Sequence, residues 1–132
     1  MNEERENSKE IQQFFDRVKA RYGVVSERYK LMASEDLEFT TKIFDLSNLM
    51  ESREIPGGLS LKTKHLIWMA VESALKMEPE YIKSHIEKAL QAGATSLQIL
   101  EALEVTVLPT GFPSFIHGFN VWKEVVRRTQ EH

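Results

Sequence analysis

Cysteine is absent from the 132 residues, which removes disulfides, thiolate metal sites, iron–sulfur clusters and cysteine nucleophiles together. Proline and glycine are scarce, at four and six, so helices can run between few breakers. No apolar run approaches the ~20 residues of a bilayer-crossing helix. The first ten residues are acidic and polar, where a secretory leader would be basic and then apolar. A cytoplasmic location with no membrane partner is therefore expected. An excess of one charge is also lacking: 17 Lys and Arg are interspersed with 20 Asp and Glu, for a net charge of -3. Without a basic face to meet phosphates, nucleic acid is not an expected partner.

What is present is 42% hydrophobic residues, enough for one core, arranged with helical spacing. Residues 1–7 have no apolar anchor and read as a mobile tail ahead of a single domain at 8–132. Ile11, Phe14, Phe15, Val18 and Tyr22 form one stripe, and Gly23 follows where a helix would stop. Residues 26–52 read as one long or two shorter helices, with Ser34 a candidate cap and Leu37, Thr41, Phe44, Ile43 and Met50 as buried positions. Pro56, Gly57 and Gly58 make a loop, after which Ser60 caps a helix over residues 61–77 that is apolar nearly all the way round. That pattern predicts a central helix surrounded by neighbours.

Pro79 suits the first turn of the next helix, which Gly93 ends. Thr95 and Gln98 have the spacing of a capping box opening a helix through Val107. Pro109, Gly111 and Pro113 interrupt it, and Phe115, Phe119, Trp122 and Val126 mark a last helix. No strand is required. The expected fold is all-α, a bundle of six or seven helices.

Several polar residues stand out against this pattern. Glu72 lies in the middle of the apolar central helix, where an unpaired carboxylate is costly to bury. It needs a partner or a cavity, and His65, His85 and Lys88 are the candidates. Tyr81 and His85 lie one turn apart on the next helix, with Glu78 a further turn back, so all three can face one cleft. The competing reading makes His85 a half-buried helix histidine and Glu72 a structural ion-pair residue. His65, His85 and His117 fall on three elements without the spacing of a metal motif, so neither a metal nor a cofactor is expected. Trp68, Trp122, Phe112, Phe115 and Phe119 suit an aromatic pocket, a core or a subunit interface, with Phe112 best placed at a pocket mouth.

From residue 59 to 125 the order of signals is more specific. Leu61-Lys62-Thr63-Lys64-His65-Leu66-Ile67 is followed by the Tyr81–His85 helix. Ala89-Leu90-Gln91-Ala92-Gly93-Ala94-Thr95, Ile99-Leu100-Glu101-Ala102-Leu103 and Gly111-Phe112-Pro113 come next. This sequence resembles the carboxymuconolactone decarboxylase family, which includes the alkylhydroperoxidase D-like proteins. The resemblance implies an alkylhydroperoxidase D-like helical fold and a homo-oligomer, trimer or hexamer.

In the family's peroxidase branch a Cys-x-x-Cys pair precedes the histidine, and those positions hold Glu78 and Tyr81 here. Thiol peroxidase activity is therefore not expected. A family glutamate in a Lys-Glu-Leu-like segment is replaced in Lys64-His65-Leu66. The decarboxylase branch implies His85 as the acid/base group; from their places in the sequence, Tyr81 and Glu72 are read as its hydrogen-bonding partners, His65 as a rim residue, and Glu78 and Phe112 as lying on the substrate side. The ligand would be a small carboxylated lactone or keto acid. A catalytically silent, oligomeric binding or scaffold protein is the alternative.

Overall fold

A computed structural model describes residues 2–130 of the chain. All regular structure among them is helical: α1 (Asn2–Tyr22), α2 (Glu27–Glu35), α3 (Leu37–Ser52), α4 (Leu61–Ala74), α5 (Pro79–Gln91), α6 (Ser96–Glu104), the single turn α7 (Val107–Thr110) and α8 (Phe112–Gln130). The contacts divide the chain into two units, Met1–Ser52 and Arg53–His132.

The first unit packs α1, α2 and α3 around Phe14, Val18, Ala33 and Phe44. Phe14 meets Phe44 edge-on at 5.5 Å between ring centres, and Tyr29 does so at 6.0 Å, an arrangement that brings ring edge to ring face. Arg17 lies over the Phe44 ring and reaches Asp45. Burial pushes the Tyr29 hydroxyl above its ordinary pKa, with Tyr22 beside it adding to the effect.

Three details depart from the sequence reading. Residues 2–7, read as a tail, are the exposed opening turns of α1, where Glu3 and Glu4 complement the positive end of the helix dipole; Met1 lies outside the described residues. The break between α2 and α3 falls at Asp36, whose carboxylate accepts the Phe39 N–H at 3.1 Å, whereas Ser34 bonds back to the Leu31 carbonyl. Thr40 takes a buried place on α3 by donating its hydroxyl to Asp36 O, and Ile43 and Met50 are exposed.

In the second unit, α4 and α5 form the most extensive helix pair, and α8 lies against both. Met69, Ile82, Ile86, Ala89, Ile99, Leu103, Val121 and Val125 make its core. The Ser60 hydroxyl caps α4, Pro79 opens α5, and Thr95 with Gln98 forms a complete capping box at α6. Expected to reach Val107, α6 ends at Glu104, and Pro109 is accommodated in α7. Nor is α4 surrounded on all sides: Ile67, Val71 and Leu75, four residues apart, leave one face exposed.

Two helix ends use the same cap with different residues. After α5 the left-handed position is Gly93, with Gly93 N–H bonding Leu90 O and Ala94 N–H bonding Ala89 O. After α4 it is Lys76, at φ 54°, with Lys76 N–H on Ser73 O and Met77 N–H on Glu72 O. A side chain at that position is disfavoured relative to glycine. Lys76→Gly should therefore stabilise the fold by about 0.5–1 kcal/mol, read as a higher midpoint in urea; an unchanged or lower midpoint would contradict the cap.

At Gly118, α8 closely approaches Leu103 and Ser73. A methyl group there would lie 2.5 Å from both Leu103 Cδ2 and Ser73 Oγ. Gly118→Ala should cost about 1–3 kcal/mol through overpacking and lower the Tm by several degrees in thermal denaturation, despite alanine's better helix propensity.

Candidate functional site

Helical spacing puts His65, Trp68, Met69 and Glu72 on one face of α4, since positions three, four and seven apart share a side. On α5, Ile82, Ile86 and Ala89 bury one face, and His85 lies beside them. The packing of α4 on α5 turns these two faces toward each other.

Three polar side chains meet there. Nδ1 of His65 lies 3.2 Å from Nδ1 of His85, and Nε2 of His85 lies 3.5 Å from Oε1 of Glu72. The first distance is a hydrogen bond, in which one imidazole donates and the other accepts. The second is an ion-pair distance, slightly beyond the 2.7–3.2 Å of a formed N–H···O bond. Trp68 packs on both imidazoles, its ring centre 5.2 Å from that of His65 and 5.3 Å from that of His85.

The surroundings make this polar group consequential. His65 retains 6% and Glu72 8% of its exposure, so water screens neither well, and charges at short range interact more strongly than in solution. Glu72 also falls in the last turn of α4, a turn with no basic residue. A carboxylate is disfavoured at the negative end of a helix dipole. The His85 ring at ion-pair distance from Glu72 opposes both effects when it is charged.

Of the sequence candidates, Glu72, His65 and His85 come together, with His85 at ion-pair distance from Glu72. His65, expected at a rim, is buried. Tyr81 is half-buried on α5 one turn before His85. Glu78 is the exposed N-cap residue of α5 and makes no side-chain cap bond. Phe112 is exposed at the start of α8, where its ring stacks on Phe115 and begins a ladder through Phe119 to Trp122.

The third helix histidine serves the fold elsewhere, since His117 Nε2 donates to Met77 O at 2.7 Å and so ties α8 to the α4–α5 turn. The residue whose position sequence reasoning missed is Trp68. Its spacing of three from His65 was the available signal, but aromatic residues at helical spacing are usually core. Among the described residues no three His, Cys, Asp or Glu side chains are grouped to hold a metal ion. Shallow depressions of about 360 Å³ between α5 and α8, and about 370 Å³ in the loop at 54–60, are lined by other residues.

Comparison with known proteins gives the family. The sequence model of the Carboxymuconolactone decarboxylase family matches residues 42–124, more than half of the chain. The chain belongs to the carboxymuconolactone decarboxylase family. A crystal structure of a Burkholderia xenovorans LB400 protein, classed by its name with the carboxymuconolactone decarboxylases, is similar over 95% of this chain and 97% of its own, with a TM-score of 0.69. At 20% identity this likeness concerns the fold. No curated protein matches the sequence significantly. The family match runs from within α3 into α8 and so takes in all of α4 and α5, which carry the two histidines and the glutamate.

If Glu72 and His85 interact as placed, their substitutions will not be additive. A double-mutant cycle with Glu72→Gln and His85→Asn should give a coupling of about 0.5–3 kcal/mol by urea unfolding. Additive losses would remove the pair.

Proposed function

We propose that this carboxymuconolactone decarboxylase family member acts on or binds a small carboxylated compound, a lactone or keto acid, by acid/base chemistry that uses no thiol. The observation that carries the proposal is the convergence of Glu72, His85 and His65 on the α4–α5 face. Decarboxylation requires stabilisation of the carbanion or enolate that forms as carbon dioxide leaves, followed by return of a proton. Imidazole is suited to proton return near neutral pH. A buried carboxylate at ion-pair distance from the middle ring helps to hold positive charge on the imidazoles. At the positions of the family's thiol pair stand Glu78 and Tyr81, so a peroxidase reaction through those positions has no nucleophile.

A second reading has its own support. Ile67, Val71 and Leu75 on α4, with Val105, Leu108 and Phe112 further along, are exposed, Leu108 at 96%. Large exposed apolar patches mark interaction surfaces, and a second copy of the chain is the partner we assign to this face. A homo-oligomer is compatible with either an active or a silent site.

Thermal unfolding with a panel of carboxylated lactones and β-keto acids, run beside light-scattering mass measurement, separates the readings. A binding-competent site predicts a ligand-dependent rise in Tm, about 2.7 kcal/mol of stabilisation at a hundredfold excess over Kd. The rise should disappear in His85→Ala with the assembly mass unchanged. An undiminished response in that variant would refute the site. An oligomer unresponsive to every compound would favour the scaffold reading.

A further inference from the structure

We infer that the His65–His85 contact is an acid-sensitive latch between α4 and α5, which holds while neither ring or only one is charged and opens when both are. The inference does not depend on turnover at the site.

The two Nδ1 atoms lie 3.2 Å apart. A hydrogen bond at that distance needs one hydrogen and one lone pair between the atoms. A neutral imidazole has a hydrogen on one nitrogen and a lone pair on the other, whereas an imidazolium has hydrogens on both. Two neutral rings meet the requirement, and so does one charged ring donating to a neutral one. Two charged rings do not. Both Nδ1 atoms would then carry hydrogens directed at each other, and the contact would be lost whatever else the rings and Glu72 touch.

Charge and burial act in the same direction. His65 is buried and the His85 side chain is 17% exposed, so two like charges there would be poorly screened. Glu72, 3.5 Å from His85 Nε2, supplies one negative charge, which balances one imidazolium and not two. Trp68 packs on both rings and restricts their turning aside, so relief comes from movement of α5 against α4.

The other charged groups of these helices, and of α6 and α8 packed on them, add no second buried negative charge. On α4, Lys64 donates to Arg53 O and Lys62 is half-buried. On α5, Tyr81 lies one turn before His85 and Lys88 one turn after it, both half-buried, and Lys83 faces Glu87. Glu101 and Glu104 of α6 are exposed, as are Lys123, Glu124, Arg127 and Arg128 of α8, while His117 is bonded to Met77 O. Among the described residues of these four helices, Glu72 is the only buried carboxylate.

The sign of the pH dependence follows. In the unfolded chain the two histidines are apart, and each takes a proton near the ordinary value of about 6.5. The latched pair titrates as a unit and takes one proton where the unfolded chain takes two. Below that pH the unfolded state binds more protons, so the stability present above it is lost as the pH falls, by up to about tenfold in the unfolding constant per pH unit.

The test compares urea unfolding of the intact chain with that of His65→Asn at one protein concentration, alongside an NMR titration of the histidine rings in the intact chain. Asparagine keeps a hydrogen-bonding group and takes no proton. Between about pH 6.5 and 5.0 the unfolding constant of the unaltered chain should rise about tenfold more than that of His65→Asn; equal rises overturn the latch. Glu72→Gln should show a rise at least as large as the unaltered chain. A smaller one traces the acid sensitivity to the Glu72–His85 ion pair and also overturns the latch. In the titration, which needs no variant to fold, His65 and His85 should charge in two separate steps, with the Trp68 indole N–H shifting at the lower one. Both rings charging together while Trp68 stays unmoved is the opposite result, and it refutes the proposal.

Discussion

A carboxylate carried on an apolar helix has to be compensated where the helix is buried, and in this protein that requirement falls on Glu72. Placed near the C-terminal end of α4, it faces both desolvation and the negative pole of the helix dipole. The compensating group comes from α5. His85 approaches Glu72 with one nitrogen and His65 with the other, so one ring joins two residues of α4 that are two turns apart. An apolar contact between α4 and α5 would tolerate some sliding; this polar contact fixes their register more closely, because each ring nitrogen has a defined direction.

The rest of the second unit supports that register. The turn after α4 closes on Lys76 in a left-handed conformation, and Met77 N–H returns to the Glu72 carbonyl. Met77 O in turn accepts His117 Nε2–H from α8. Gly118, the next residue, lets α8 approach Ser73 and Leu103 within a distance that excludes a side chain. The residue with the buried charge, the strained turn after it and the close helix crossing are therefore consecutive parts of one construction. Substitutions at any of these places are expected to affect the site through the position of α4.

Family membership and the absence of cysteine together alter what this construction can do. Glu78 is exposed and Tyr81 half-buried on α5, and no cysteine stands among the 132 residues. What the structure brings together on the α4–α5 face is two imidazoles and a carboxylate. Trp68 adds an apolar cover to the same face, where rotation of either ring would break the shared bond.

Helix positions and ends were legible in the sequence because they depend on local physics. Ser60, Pro79, Gly93 and the Thr95–Gln98 box act within one turn of themselves, and the structure shows each in the role its residue type implies. Where local signals competed the reading shifted, as at Asp36 rather than Ser34, and in residues 2–7, whose polarity said nothing against an exposed helix. The sequence alone also determined that these 132 residues offer no thiol and that Glu72 needs a partner, since both follow from composition and from the cost of burying charge. Tertiary structure brought His85 to ion-pair distance from Glu72. Among His65, His85 and Lys88 no spacing rule chooses, because the answer depends on the rotation and register of α5 against α4. The 3.2 Å approach of two histidines twenty positions apart exists only once those helices have packed.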